Sequence, residues 1–411
     1  MNKNTKKYAL FFLNKVILFG TILSILFCCK SVSTNDKSAK YQISPNLKWS
    51  ERMALTLIKV HPNAYQIDEK TEPKWDYVHG LVLSSIEKLY LKTNNELYFN
   101  YVKGYADATI DVNGNIPSYK FSNYNIDMLE AGNILFYLYE RTNKKKYLTA
   151  LQTLRKQISE HPRTSEGGFW HKKIYPNQMW LDGLYMGSPY YAQYTSKFEQ
   201  GKELNDVAQQ FELIQKHLLD LKTGLLYHGW DESKQMQWAN QETGTSPNFW
   251  SRSLGWYAMA LVDVLDYFPD NHPKKSQLIS YLNSLSNSLI KFQHESGLWY
   301  QVTDLGSLSG NYLEASGTAM FSYALAKGVN KGYLPKEYRK HAQKAFDGIV
   351  KNLIKISPEG NVIITQCCAV AGLGGNPYRD GSFEYYINEK KKDNDPKATG
   401  PFILAALELN R

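Results

Sequence analysis

Cysteine is scarce: the chain has four in 411 residues, and two of them lie within the first 29 positions. The other two, Cys367 and Cys368, are adjacent. Neighbouring thiols are poorly placed to bridge one another, so neither a disulfide scaffold nor a metal site is expected. Beyond residue 28 no stretch approaches the roughly 20 consecutive apolar residues that a membrane-spanning helix needs. Nothing resembles a nucleic-acid-binding motif, and nucleic acid is not an expected partner. The glycine-rich string "GLGGNPYRDGSFEYYINE" lacks the GxGxxG spacing and the GKS or GKT ending of a phosphate cradle. It is expected to close over a site as a tight loop, with Tyr378 and Arg379 as candidate substrate contacts.

Acidic residues are also missing before Asp36. In that stretch Lys3, Lys6, Lys7 and Lys15 lead into the apolar run "VILFGTILSILF", the charge-then-apolar order of an export signal. The run ends in "LFCCK", with Leu26 three residues before Cys29, which resembles a bacterial lipoprotein cleavage box. Residues 1–28 are therefore expected to be a leader, with Cys29 lipidated. Plain secretion and an uncleaved membrane anchor are the alternatives. The polar string "KSVSTNDKSAKYQISPNLK" makes 29–48 an expected tether, leaving 49–411 as the folded body. This predicts an exported protein held at the cell envelope, periplasmic or surface-facing, and touching the membrane through a lipid alone. Losing residues 1–28 removes four Lys and no acid, so the formal charge drops from +9 to +5, a modest excess that suits an anionic substrate. No feature reads out an oligomeric state.

What the chain has in quantity is aromatic residues, including 30 Tyr and nine Trp. Most can serve as core. Flat rings with polar tips also suit sugar sites. One local pattern recurs, a Gly followed by apolar or aromatic residues: "NGNIPSY" (Gly114), "GGFWHK" (Gly168), "TGLLYHGW" (Gly224), "SGLWYQV" (Gly297) and "EGNVIITQ" (Gly360). The intervals of 54, 56, 73 and 63 residues signal repeated supersecondary units. Between the marks lie helical periodicities. Tyr147, Leu151, Leu154 and Ile158 share one face, as do Trp256, Ala260, Val264 and Phe268. Five loops separate six helical hairpins, an all-α chain of about twelve helices at roughly 60 residues per pair. A closed (α/α)6 barrel with aromatic loops at its mouth is favoured over a linear solenoid, because the loops are long and rich in reactive side chains.

Two acids stand at equivalent places in neighbouring units. Asp182, in "YPNQMWLDGLYMGSPYYAQY", opens an apolar helix, and Asp127, in "NYNIDMLEAGNILFYLY", does the same 55 residues earlier. Either could simply stabilise a helix start. Trp180 and Tyr185 are expected to crowd Asp182 with apolar surface, raise its pKa and keep it able to donate a proton. Paired carboxylates at one mouth suggest glycosidic chemistry. Three more clusters fall on repeat loops: His171, Lys172 and Tyr175; His228 and Trp230; and Trp250, Arg252 and Trp256. An Arg flanked by Trp could clamp a carboxylate while the rings stack on sugar, or could pair with a protein acid such as Asp231. Glu314 and Ser316, in "YLEASGTAMFSYALAKGV", read as structural.

The strings "NID", "HKKIYPNQMWLDGLYMGSP", "HGWDES", "FWSRSLGWYAMAL", "EASGTAMFSYALAKGV" and "GLGGNPYRDGSFEYY" together resemble glycoside hydrolase family 105, the unsaturated rhamnogalacturonyl hydrolases, related to the family 88 unsaturated glucuronyl hydrolases. The resemblance implies an (α/α)6 barrel with no metal or organic cofactor, Asp182 as general acid/base and Asp127 as its catalytic companion. It places His171, Tyr175, Trp180, His228, Arg252 and Trp256 around the subsite for an unsaturated uronate, whose carboxylate Arg252, His171 or Lys172 could hold. The implied reaction protonates C4 of a 4,5-unsaturated uronate and hydrates C5, after which the glycosidic bond collapses. The implied partners are unsaturated acidic oligosaccharides, uronyl–rhamnose fragments of rhamnogalacturonan or of the sulfated algal polysaccharide ulvan. A conventional inverting glycosidase, a polysaccharide lyase and a surface glycan-binding lipoprotein are the competing readings.

Overall fold

The structure, a computed structural model, describes residues 42–411. The expected leader 1–28, Cys29 and the tether as far as residue 41 lie outside the described residues. The helices run in chain order α1 (Trp49–Val60), α2 (Tyr77–Thr93), α3 (Glu96–Thr109), α4 (Asn133–Thr142), α5 (Lys145–Glu160), α6 (Leu181–Phe198), α7 (Leu204–Leu218), α8 (Ser251–Val264), α9 (Lys275–Leu289), α10 (Ala315–Asn330), α11 (Tyr338–Asn352), the short α12 (Phe383–Asn388) and α13 (Pro396–Leu409). A 3₁₀ turn, Ile126–Gly132, feeds α4.

Burial sorts these helices into two rings. In α5 the apolar residues lie on one stripe: Tyr147, Leu151, Leu154 and Ile158 are buried while the lysines face outward. In α8 every residue from Ser251 to Val264 is buried, so the helix has neighbours all round. The helices α2, α4 with its 3₁₀ turn, α6, α8, α10 and α13 form the inner ring, and α13 packs back on α2 to close it. The outer ring is α3, α5, α7, α9, α11 and finally α1, which covers α13. The molecule is therefore the closed (α/α)6 barrel, with the last inner helix paired to the first outer one.

The glycine marks have a shared physical cause. Each sits in the loop returning from an outer helix to the next inner helix, where the chain turns hard against the following unit. At Gly297 φ is +92°, and a Cβ would lie 2.1 Å from the Lys344 carbonyl of α11. Gly360, with φ +81°, lies as close to the Ile43 carbonyl, where a Cβ would be 2.4 Å away. Glycine alone tolerates both the turn and the approach. In the second loop the left-handed residue is Gly167, not the marked Gly168.

The Gly360 contact also shifts a boundary. The sequence reading extends the tether to residue 48, but Ile43 is 1% exposed and its N–H donates to the Glu359 carbonyl. Residues 43–48 therefore belong to the barrel, filling for the last loop the place an outer helix fills for the others.

Short antiparallel ladders brace the return loops: β1 (Gln178–Trp180) joins β2 (Gly229–Asp231) of the next loop, while β3 (Trp299–Tyr300) with β4 (Leu313–Glu314) and β5 (Ile354–Ile356) with β6 (Val362–Ile364) each pair within one loop. Trp180 pairs with Gly229, and the Leu181 N–H donates to the His228 carbonyl at 3.0 Å. That register sets the start of α6 beside His228.

Candidate active site

Asp182 is the second residue of α6, in its first turn. Its side chain is 14% accessible, and its Oδ2 is sealed from solvent. His228 Nε2 lies 3.0 Å from that oxygen. The N–H direction misses Oδ2, so the two atoms approach without an aligned hydrogen bond and neither has another partner among the described residues. On the other side of its ring, His228 Nδ1 is 2.7 Å from the Tyr386 hydroxyl. The imidazole is fully buried between Trp180, Trp250 and Tyr386.

Asp127 is in a different state. Asn125, not Asp127, caps its helical turn, its Oδ1 accepting from the Asp127 N–H. Lys172 Nζ is 2.7 Å from Asp127 Oδ2, and His171 Nε2 is 3.4 Å from Oδ1. Burial alone would push the Asp127 carboxyl up; the Lys172 ammonium outweighs it and holds the group below the ordinary carboxylate range. His171 is pushed down to about 4, by burial above all, so at neutral pH it meets Asp127 as an uncharged ring. His171 also feels the charges of Asp182 and His228, which puts it between the two acids.

The aromatic rings are shared out unexpectedly. Trp180 has His171 stacked on one face at 4.3 Å and Tyr175 on the other at 5.0 Å, so neither face is open to a sugar. Tyr175, half-buried, is the accessible end of that stack. Trp256 is 1% exposed and stacks on Tyr185 at 5.0 Å; it shapes the floor and offers no free face. Trp230 is not in the mouth. Its ring stacks on His217 at 3.8 Å and lines a separate outer cavity with Lys216, Tyr227 and Glu166.

Arg252 is also corrected. Its Nε donates to Ser316 Oγ at 2.7 Å and an Nη2 hydrogen goes to the Cys368 carbonyl, with Glu314 at 3.7 Å. The guanidinium is 1% exposed and joins the heads of α8 and α10 to the loop after β6. A protein acid does face it, but that acid is Glu314. Asp231 instead accepts N–H groups from Ser233, Gln235 and Met236. Lys172, committed to Asp127, is likewise not a free anion clamp. The Arg379 guanidinium is uncommitted: among the described residues it has no hydrogen-bond or ion-pair partner. A Cβ built on Gly372 would lie 2.9 Å from Arg379 Nη1 and 3.5 Å from Trp180, which places the cation at the Trp180 edge. Tyr378 is 40% exposed, its hydroxyl accepting from the Trp238 N–H, and so joins the two mouth loops.

Three side chains of this mouth were not singled out from the sequence. Tyr77, the first residue of α2, is held up by burial and by the Asp127 charge, and faces Trp256. The repeat would have found it, since it heads an inner helix as Asp182 does. Tyr386, in the short α12, falls within the glycine-rich string expected to close over the site, and Trp238 lies in the loop between α7 and α8; neither heads an inner helix, so the repeat did not mark them.

A model of Glycosyl Hydrolase Family 88 matches residues 49–411. The chain belongs to that family. A solved family 105 glycoside hydrolase from C. acetobutylicum ATCC 824 is 46% identical, covers 89% of this chain and 99% of its own, and superposes with a TM-score of 0.85. Protein Atu3128 of Agrobacterium fabrum is 36% identical over 229 residues, 54% of this chain and 97% of its own length. The unsaturated rhamnogalacturonyl hydrolase YesR of Bacillus subtilis is 26% identical over 306 residues, 73% of this chain and 81% of that protein. The family member described here is thus a glycosidase, and its matched region takes in every helix of the barrel.

Proposed function

We propose that the enzyme removes a 4,5-unsaturated uronic acid, glucuronyl or galacturonyl, from the non-reducing end of lyase-generated oligosaccharides in which it is linked to rhamnose. One observation carries this: two acids at equivalent inner-helix heads have been given opposite surroundings. Asp127 is ionised against Lys172, whereas among the described residues Asp182 has no ion-pair contact but the approach of the His228 edge. An acid fixed by a cation beside one left without a cationic partner divides the pair into a standing anion and a candidate proton donor. Asp182, protonated, hands its proton to C4, and positive charge develops at C5 and the ring oxygen. Water adds to C5 and returns a proton to the Asp182 carboxylate. The resulting hemiketal opens to a C5 ketone, C1 becomes an aldehyde, and the rhamnose-bearing alcohol departs. Asp127 and neutral His171 orient the sugar hydroxyls, Arg379 takes the uronate carboxylate, and Tyr175 supports the ring. The rhamnose linkage is supported by the likeness to the B. subtilis rhamnogalacturonyl hydrolase. The charge-then-apolar order of residues 1–28 supports export, with Cys29 as the lipid anchor.

The test is optical. Lyase-made uronyl–rhamnose disaccharides absorb in the ultraviolet through their conjugated double bond, and the enzyme is expected to abolish that absorbance for the glucuronyl or the galacturonyl compound. A rise in absorbance from intact polysaccharide would make the protein a lyase instead, and no change with either material would leave it a binding protein.

A further inference from the structure

Tyr386 lies outside the helical repeat, yet its hydroxyl touches His228, the ring whose Nε2 lies 3.0 Å from the candidate proton donor. The ring is fully buried, stacked on Trp250 at 5.8 Å, and its backbone carbonyl accepts from Gln301 Nε2 at 3.0 Å. Gln301 Oε1 in turn accepts from Trp250 Nε1 at 3.1 Å, so the phenol is clamped from both ends. Among the described residues His228 Nδ1 is the hydroxyl's one hydrogen-bond partner. Burial drives the phenol's pKa well above its ordinary value, so the oxygen keeps its proton.

A buried O–H without an acceptor is costly, and here a single acceptor is offered. If the ring carried its hydrogen on Nδ1, that N–H would point at the hydroxyl oxygen and the phenolic hydrogen would have nowhere to go. If the hydrogen is on Nε2, the phenol donates to Nδ1 and every hydrogen in the pair is used. We infer that Tyr386 is a positioning residue that locks His228 in the Nε2–H form, so that His228 donates to Oδ2 of Asp182 and leaves Oδ1 as the oxygen that carries and recovers the proton. This rests on the proton-donor reading of Asp182.

The consequence is a division of labour within one carboxyl group. Oδ2 is buried and faces Nε2; Oδ1 has no protein partner among the described residues. An N–H facing Oδ2 is compatible with both states of the cycle, the acid with its hydrogen on Oδ1 and the carboxylate left after proton transfer. A lone pair on Nε2 would suit only an acid protonated on Oδ2, and would repel the carboxylate formed at the reactive moment. The 3.0 Å approach is misaligned without substrate, as catalytic contacts often are before the complex forms.

The test uses the full enzyme labelled with ¹⁵N-histidine, with the His228 signals assigned by their loss in His228→Gln. In the wild type Nδ1 is expected to resonate as an unprotonated nitrogen and Nε2 as a protonated one. Tyr386→Phe keeps the ring on Trp250 and removes the donor. It should shift the His228 spectrum towards the Nδ1–H form and lower kcat on the order of 10- to 100-fold, as loss of an orienting partner does, with KM nearly unchanged. An Nδ1–H signature in the wild type overturns the assignment, as does a Tyr386→Phe enzyme with unchanged kcat or an unchanged His228 spectrum. Failure of the underlying reading has a different signature: Asp182→Asn would turn over normally while wild-type His228 still showed the Nε2–H form.

Discussion

At the scale of single residues, the site depends on where charge is permitted. The Lys172–Asp127 pair is 24% and 9% accessible, so removing the lysine strands a nearly buried carboxylate. Lys172→Ala should cost on the order of 2–3 kcal/mol, less than for a fully buried pair because the ammonium retains some water. Adding Asp127→Asn should recover much of it, as urea denaturation midpoints would show. Since the Asp127 carboxyl is held low in the folded protein, its contribution is complete above the ordinary carboxylate range and disappears as pH falls through the lowered value. Lys172→Ala should therefore flatten the acid limb of the stability profile. Asp127 and Asp182 stood out in the sequence because their spacing repeats, and His171 because it lies in a repeat loop beside Lys172 and Tyr175. Arg252 was misread: beside two tryptophans it looks like a carboxylate clamp. Its place as the second residue of an inner helix turns it into the wall between α8 and α10. The His228–Tyr386 contact spans 158 residues and no local pattern encodes it.

At the scale of elements, the mouth is only as precise as the junctions between inner helices. Gly317, at the start of α10, lies where a Cβ would come 2.9 Å from the backbone of Ser251 in α8. Its neighbour Ser316 accepts from Arg252 at 2.7 Å. Gly317→Ala should force the two helix heads apart, with an overpacking cost of about 1–3 kcal/mol, read as a lower Tm. Turnover should fall as well, because Trp250 and Trp256 ride on the same helix start. The helices themselves were plain from periodicity, and the glycine marks gave the return loops. The ladder between β1 and β2 was not, since three residues on each side carry no alternation long enough to read. It is that ladder which sets His228 against Asp182.

At the scale of the whole molecule, ring closure makes the ends matter. The last inner helix is covered by the first outer one, and Ile43 plugs the loop around Gly360. Compared with a chain beginning at Gln42, one beginning at Trp49 should lose about 1.5–3 kcal/mol from the uncovered isoleucine site. Equal melting of the two would mean that residues 43–48 contribute nothing to the barrel. The sequence reading missed this because "YQISPNLK" is polar on average, and one buried side chain does not alter a compositional impression. Six units were legible because five loops between them carry the same glycine mark. The neighbour of the fifth, at Gly360, is a peptide segment with no helical pattern to announce it.

The central claim is that Asp182 delivers the proton that breaks the double bond. It is tested most directly by following the ultraviolet absorbance of an unsaturated uronyl–rhamnose disaccharide in a single turnover by Asp182→Asn, alongside calorimetric binding of the same compound. Binding should stay within a few-fold of wild type while the absorbance decay slows by about 100- to 10,000-fold, the usual worth of a general acid. Decay at the wild-type rate would contradict the account.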